Sequence, residues 1–248
     1  MPADADAAAD AEQAAPAPGA VRLERNAPVK FVFLGPPGAG KGTQAARMAV
    51  RFNVQHASTG DMFRKAAAAG SELGRTVKDY LDSGRLVPDE LTSRVVEELV
   101  LDAGDGYILD GYPRTLGQAE ALAANLERRG LRLDGVVYFD LSDQEAVRRL
   151  TGRLVCSGCG RNYHREFMPP KATDVCDDCG AALRVRSDSA EDVVRQRLAV
   201  YHEMTEPLVR YYRDRGLLEN VDASAAPDDV ERATGALLER LARSEGDR

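Results

Sequence analysis

In the stretch FVFLGPPGAGKGTQA, Phe31 to Ala45, four glycines and two prolines crowd around Lys41. A glycine-rich turn between a buried strand and a helix lets backbone N–H groups converge on phosphate oxygens. The helix N-terminus adds partial positive charge, and the lysine a full one. Gly35 through Gly40 to Lys41 matches the G-x-x-x-x-G-K part of the phosphate-binding loop pattern. The next position departs from it: Gly42 stands where Ser or Thr is usual, with Thr43 one step later. A hydroxyl grip on Mg²⁺ is then weaker or indirect, which Mg²⁺ tolerates because it keeps several waters. A turn that merely joins strand to helix is the bland alternative. Against it, strand, loop and helix fall in the required order, so the loop is read as holding a nucleoside triphosphate.

Two further segments carry charge to comparable places. STGDMFR puts Thr59 and Arg64 at a helix start, where an anion would sit. LDGYPR ends a buried strand at Asp110 and turns through Gly111, Tyr112 and Pro113 to Arg114. In open parallel sheets ligands bind beyond the carboxyl ends of the strands. Asp110 is placed there to hold the waters of Mg²⁺, its bland reading being a turn former or cap.

Cys156, Cys159, Cys176 and Cys179 are the only cysteines, spaced C-x2-C, sixteen residues, C-x2-C. This is a zinc-ribbon spacing, and four thiolates close a tetrahedron, which makes a structural site. Two disulfides are the competing reading. A nucleotide-using chain whose first twenty residues lack a secretory pattern is expected in a reducing cytoplasm, which favours metal. His164 is nearby but surplus to four thiolates, and His56 and His202 have no metal spacing.

These residues need a scaffold. VKFVFLG, NVQHAST, GYILDG, GVVYFDL and LLENVDA read as strands. Helices are expected at GTQAARMAVRF, GDMFRKAAAAG, SELGRTVKDYLDSG, PDELTSRVVEELVL and TLGQAEALAANLERRG. One long helix is expected over about Glu191 to Arg213, and a last one at the C-terminus. Strand alternating with helix gives a parallel sheet covered on both faces.

With 248 residues the chain can bury a sizeable core, expected as one domain with inserted subdomains. No apolar run reaches the length of a membrane span, and a net charge of -7 argues against general nucleic-acid binding. The Ala/Asp/Pro-rich start, residues 1–28, is expected to be a disordered tail, and RSEGDR at the end to fray.

GPPGAGKGTQA, STGDMFR, GRLVPDEL, LDGYPRTLGQA, GRLVCSGC and RLAVYHEMTEPLVRYY follow one another in the order found in adenylate kinases. Over about Val29 to Leu241 the chain resembles the long-lid form of that family with a zinc-bearing lid. The resemblance implies an α/β fold with a P-loop NTPase-type parallel sheet core at 29–57, 88–151 and 190–243. It also implies a helical monophosphate-binding insert at 58–87 and a small zinc-ribbon lid at 152–189. It implies reversible, Mg²⁺-dependent phosphoryl transfer from ATP to AMP, giving ADP, by a cytoplasmic monomer.

Matched by position, the ATP side comprises Gly38, Ala39, Gly40, Lys41, Gly42, Thr43, Arg149 and Arg153, with weaker matches at Asn162, Tyr163 and Ala225. The AMP side comprises Thr59, Arg64, Arg85, Leu86, Val87, Gly111, Tyr112, Pro113, Arg114 and Gln118, with Arg186 and Arg197 closing over the phosphates. Lys41, Asp110, Arg114, Arg153, Arg186 and Arg197 are the expected catalytic set. Lid hinges are expected near Gly152 and Asp188, where Ser189 replaces a second Asp common in long-lid members.

Charge in phosphoryl transfer spreads over equatorial oxygens, so catalysis is mostly positioning and electrostatic stabilisation. Guanidinium forks match phosphate geometry. A phosphate monoester with a second pKa of about 6 is already largely ionised at neutral pH, so no general base is needed. The Gln118 amide offers an acceptor and a donor to an adenine edge. Two other readings remain: a nucleoside monophosphate kinase of other base specificity (GTP-using or pyrimidine-accepting), and a zinc-ribbon nucleic-acid-binding protein.

Overall fold

The computed structural model describes residues 29–101 and 106–243. The expected tail at 1–28 and the C-terminal residues 244–248 lie outside the described residues.

Five parallel strands form the central sheet in the order β2-β3-β1-β4-β8. They are β1 (Lys30–Leu34), β2 (Gln55–Ser58), β3 (Tyr107–Asp110), β4 (Gly135–Asp140) and β8 (Leu218–Asp222). β1 is buried along its whole length, as expected for a central strand covered on both faces. Its side chains alternate between two cores. Phe31 and Phe33 join one with Met48, Phe139, Leu150 and Leu238. Val32 and Leu34 join the other with Leu109, Leu122, Leu126 and Leu208.

The first layer of helices contains α1 (Lys41–Phe52), α6 (Asp143–Thr151), α7 (Glu191–Val200) and α9 (Pro227–Arg243). The second contains α4 (Asp89–Val96), α5 (Leu116–Arg128) and α8 (Pro207–Arg213). Thr115 and Ser142 cap α5 and α6 by accepting backbone N–H bonds from Gln118 and Glu145. Each such cap contributes about 1 kcal/mol.

Two smaller units rise from the sheet. α2 (Thr59–Ala68) and α3 (Glu72–Ser83) pack around Phe63, Val77, Val87 and Val95. The strands β5 (Arg153–Cys156), β6 (Asn162–His164) and β7 (Leu183–Val185) form an antiparallel sheet in the order β6-β5-β7. Its buried core is small: Leu154, Cys156, Tyr163, Cys176 and Leu183.

The structure corrects two expectations about helices. The run from Glu191 to Arg213 is not one α-helix: a π-helical turn, Tyr201–Thr205, separates α7 from α8. Pro207 has no N–H to offer and its ring conflicts with the preceding turn, so the backbone widens before it. The Glu206 N–H reaches back to the Tyr201 carbonyl at 2.8 Å. In addition, α6 is a helix that the periodicity did not indicate. It buries only Ala146 and Leu150, and that apolar stripe is too narrow to read among its charges. A second π-helical turn, Glu97–Leu101, extends α4 within the expected PDELTSRVVEELVL segment.

Candidate active site

β1 and β3 lie side by side with Phe33 opposite Asp110, so the glycine-rich loop and the Asp110 turn leave the sheet together. Gly35 has φ of 144°, and a β-carbon there would stand 2.5 Å from the Phe139 carbonyl oxygen. Only glycine lets the chain leave β1 so close to β4. Lys41 is the first residue of α1, and its Nζ donates to the carbonyls of Gly35 at 2.7 Å and Pro36 at 2.8 Å. Burial, reinforced by Arg114, Arg197 and Arg153, pulls Lys41 down to about 7 against the opposing pull of Asp110.

Asp110 ends β3 with Oδ2 3.5 Å from His56 Nε2 on β2. Burial works against its ionisation, but His56, Lys41 and Arg114 together hold the carboxyl below the ordinary carboxylate range. Thr59 Oγ1 at 2.9 Å and Arg114 Nε at 2.8 Å both donate to the Gly111 carbonyl, which ties α2 to the turn after β3.

Arginines arrive from every side. Arg64 projects from α2 and pairs with Asp61. Arg153 starts β5, Arg186 follows β7, and Arg197 lies on α7. Asp188 takes two of them: Arg186 Nε donates to it at 2.8 Å and an Arg197 terminal nitrogen at 3.0 Å. Burial and the neighbouring guanidinium groups lower Arg153 to about 9 and Arg197 to about 10, Asp188 opposing the shift in both. These cations stay charged at neutral pH but crowd one another, so a polyanion in their midst would relieve the strain.

One cleft gathers Gly38, Gly40, Lys41, Gly42, Thr43, Arg64, Leu86, Asp110, Gly111, Pro113, Arg114, Arg153, Asn162, Arg186 and Arg197. An adjoining recess adds Thr59, Arg85, Val87 and Gln118. The other expected residues point elsewhere. Ala39 is buried among core residues, and the Tyr112 ring is buried with its hydroxyl donating to the Gln118 carbonyl and hydrogen-bonded to Ser93 Oγ. Arg149 donates to the Ala223 carbonyl at 2.8 Å and pairs with Glu145 at 2.9 Å. Ala225 packs against the core, and Tyr163 lies in the small core of β5–β7.

The cleft also holds residues that sequence reasoning missed. Tyr201 and Thr205 line it from the π-helical turn, and Thr205 Oγ1 donates to the Arg114 carbonyl at 2.8 Å. Both lie within the RLAVYHEMTEPLVRYY segment, but nothing in its spacing turns them toward the cleft, because that turn depends on Pro207 and packing.

A model of the family described as adenylate kinase matches residues 33–217. The adenylate kinase of Fervidobacterium nodosum is 48% identical over 204 residues, covering 82% of this chain and 94% of that protein. Those of Archaeoglobus fulgidus and Moorella thermoacetica are 45% and 49% identical, each covering 86% of this chain and 99% of the relative. The chain belongs to the adenylate kinase family. As an adenylate kinase it is an ATP:AMP phosphotransferase.

In this member of the adenylate kinase family the four cysteines can hold a metal ion, all four Sγ atoms lying within 4.8 Å of one another. Cys156 and Cys179 Sγ are 3.4 Å apart, Cys159 and Cys176 3.6 Å. Both separations far exceed a disulfide bond. They approach the roughly 3.8 Å edge of a tetrahedron of Zn–S bonds about 2.3 Å long. The N–H groups of Gly158 and Cys159 donate to Cys156 Sγ. Tyr163 takes a bond from the Asp177 N–H and meets Cys176 Sγ at 3.4 Å, and that contact above all lowers the Cys176 thiol to about 6. Sulfur atoms held this way suit a thiophilic cation. No helix among the described residues is long and apolar enough to cross a membrane.

Proposed function

We propose that the cleft divides into two phosphate subsites that meet between Lys41 and Arg114, and that transfer of the terminal phosphoryl group of ATP to AMP occurs between them. The convergence of Lys41, Arg64, Arg114, Arg153, Arg186 and Arg197 on one cleft carries this reading. Three separate parts of the chain supply those cations, so closing them around substrate assembles the site.

On the ATP side, the backbone of Gly38, Ala39, Gly40, Lys41, Gly42 and Thr43 cradles the phosphates, with Lys41 between the outer two. Arg153 and Asn162 cover them from the lid. Arg149 orders the 223–224 loop beside Ala225 and acts indirectly unless it swings away. Tyr163 supports the cysteine cluster, so its contribution to ATP would come through its backbone.

On the AMP side, Thr59, Arg64, Arg85, Leu86, Val87 and Gln118 take the nucleoside monophosphate. Gly111, Tyr112 and Pro113 set the turn that delivers Arg114. Arg114, Arg186 and Arg197 spread positive charge over the transferring group. Mg²⁺ would supply further charge neutralisation, and Asp110 would hold it through water. Zinc fits Cys156, Cys159, Cys176 and Cys179 as a structural ion that folds a lid with little core of its own.

The divisions follow: core at 29–57, 88–151 and 190–243, monophosphate-binding insert at 58–87, lid at 152–189. One chain completes the cleft, which supports a monomer acting on ATP, AMP and ADP without nucleic acid or membrane. Unbonded thiols support the cytoplasm as its setting. The reverse reaction tests the assignment. ADP and Mg²⁺ alone are expected to yield ATP and AMP in equal amounts. Arg114→Ala is expected to slow this at least about a hundredfold. A wild-type rate in Arg114→Ala would overturn the proposed subsites.

A further inference from the structure

Asp89 opens α4 and lies half-buried beside the N-terminus of α5, yet it carries none of the phosphate chemistry. Its carboxylate closes a ring of hydrogen bonds. Gln118 Nε2 donates to Asp89 Oδ1 at 2.8 Å, and Thr115 Oγ1 donates to Asp89 Oδ2 at 2.5 Å. The Gln118 N–H donates to Thr115 Oγ1 at 3.1 Å, and the Arg114 N–H donates to Gln118 Oε1 at 2.7 Å. Gln118 is 2% exposed and lines the monophosphate recess.

A carboxylate accepts only, and a backbone N–H donates only. Between Asp89 and the Arg114 N–H, therefore, the Gln118 amide has one satisfactory orientation. Turning it over would set its oxygen against a carboxylate and its NH₂ against an N–H. One Oε1 lone pair and one Nε2 hydrogen are left over for a ligand. An adenine edge presents a 6-amino donor beside the N1 acceptor, and pairs with an amide so arranged. A 6-oxopurine presents the reverse, an acceptor beside an N1–H donor, and needs the amide turned over. A free glutamine serves either base by rotating.

We propose that Asp89 is a positioning residue for base selection: it locks the Gln118 amide in the orientation that accepts a 6-aminopurine monophosphate and refuses a 6-oxopurine one. This rests on the reading of Gln118 as the base-facing residue of the AMP subsite.

The test compares AMP with IMP as acceptors, with Mg²⁺ and ATP, in the wild-type protein and in Asp89→Asn, Asp89→Ala and Gln118→Leu. Asparagine can accept or donate and alanine can do neither, so each removes the Asp89 half of the lock and leaves only the Arg114 N–H to orient the amide. The ratio of kcat/KM for AMP over IMP is expected to narrow at least about tenfold in both Asp89 variants. IMP should gain while the KM for ATP stays unchanged. A merely structural loss would lower both acceptors together and leave the ratio alone. An unchanged ratio in both Asp89 variants, with Gln118→Leu narrowing it, overturns the proposal. An unchanged ratio in Gln118→Leu overturns the underlying reading of the subsite.

Discussion

Asp110 Oδ2 lies 3.1 Å from the point that a β-carbon on Gly42 would occupy. A side chain at the residue after the loop lysine therefore presses on the carboxylate facing it, which must give by a few tenths of an ångström. The backbone there is ordinary helix, where alanine is intrinsically better than glycine. Gly42→Ala is therefore expected to keep or slightly raise the unfolding temperature while displacing Asp110, with kcat falling about tenfold and more Mg²⁺ needed for half-maximal rate. Equal kcat and Mg²⁺ dependence would show that Asp110 yields freely.

Burial above all holds the Lys41 ammonium down to about 7. A bound polyphosphate raises it, so the complex keeps a proton that the free protein releases above pH 7. ATP binding should then take up protons from about pH 7 upward, and affinity should fall as pH rises through that window. Calorimetry in two buffers of different ionisation enthalpy checks this, with Lys41→Arg as the variant that cannot titrate. Buffer-independent heats at pH 8 in the wild type would contradict it.

Asp188 holds Arg186 and Arg197, its own side chain 14% exposed. Burial opposes its ionisation, yet the two arginines hold its carboxyl below 3.8. The stabilisation is complete above pH 3.8 and is lost as pH falls through the lower folded value. Asp188→Ala is expected to cost about 3 kcal/mol at pH 7, because the arginines are left buried and unpaired. Part of this should return with added ATP, and the gap to wild type should close at acid pH. Denaturant unfolding across pH measures it.

The β5–β7 unit buries only a small core, so metal is expected to carry its folding, with a binding free energy on the order of 10 kcal/mol. Chelation, or Cys176→Ser, should expose residues 152–189 to protease and raise the KM for ATP while the central sheet melts at its former temperature. One zinc per chain by elemental analysis should accompany full protection. Unchanged protection after complete metal removal would contradict a structural role.

Much of this was legible because it is local. Lys41 and Asp110 follow from residues adjoining their strands, and the cysteines from two short spacings. What the sequence hid depends on packing. Nothing near Asp188 says that it faces Arg197 on α7, and nothing near Asp89 that it faces Thr115 and Gln118. Tyr112 belongs to a well-marked segment and Tyr163 to a weakly matched one, but in both the direction of a ring in a turn or a short lid strand is set by the core it finds. The π-helical turn that brings Thr205 to Arg114 follows from Pro207 only in hindsight, since a proline at a helix start is ordinary.

The most direct test of the whole account is acceptor choice. The protein, with zinc and Mg²⁺, is given ATP and, in separate reactions, AMP, GMP, CMP or UMP, and every nucleotide is quantified. The account predicts two ADP formed for each AMP consumed, with the other acceptors nearly silent. Faster transfer to another acceptor, or none to AMP from folded protein, would contradict it.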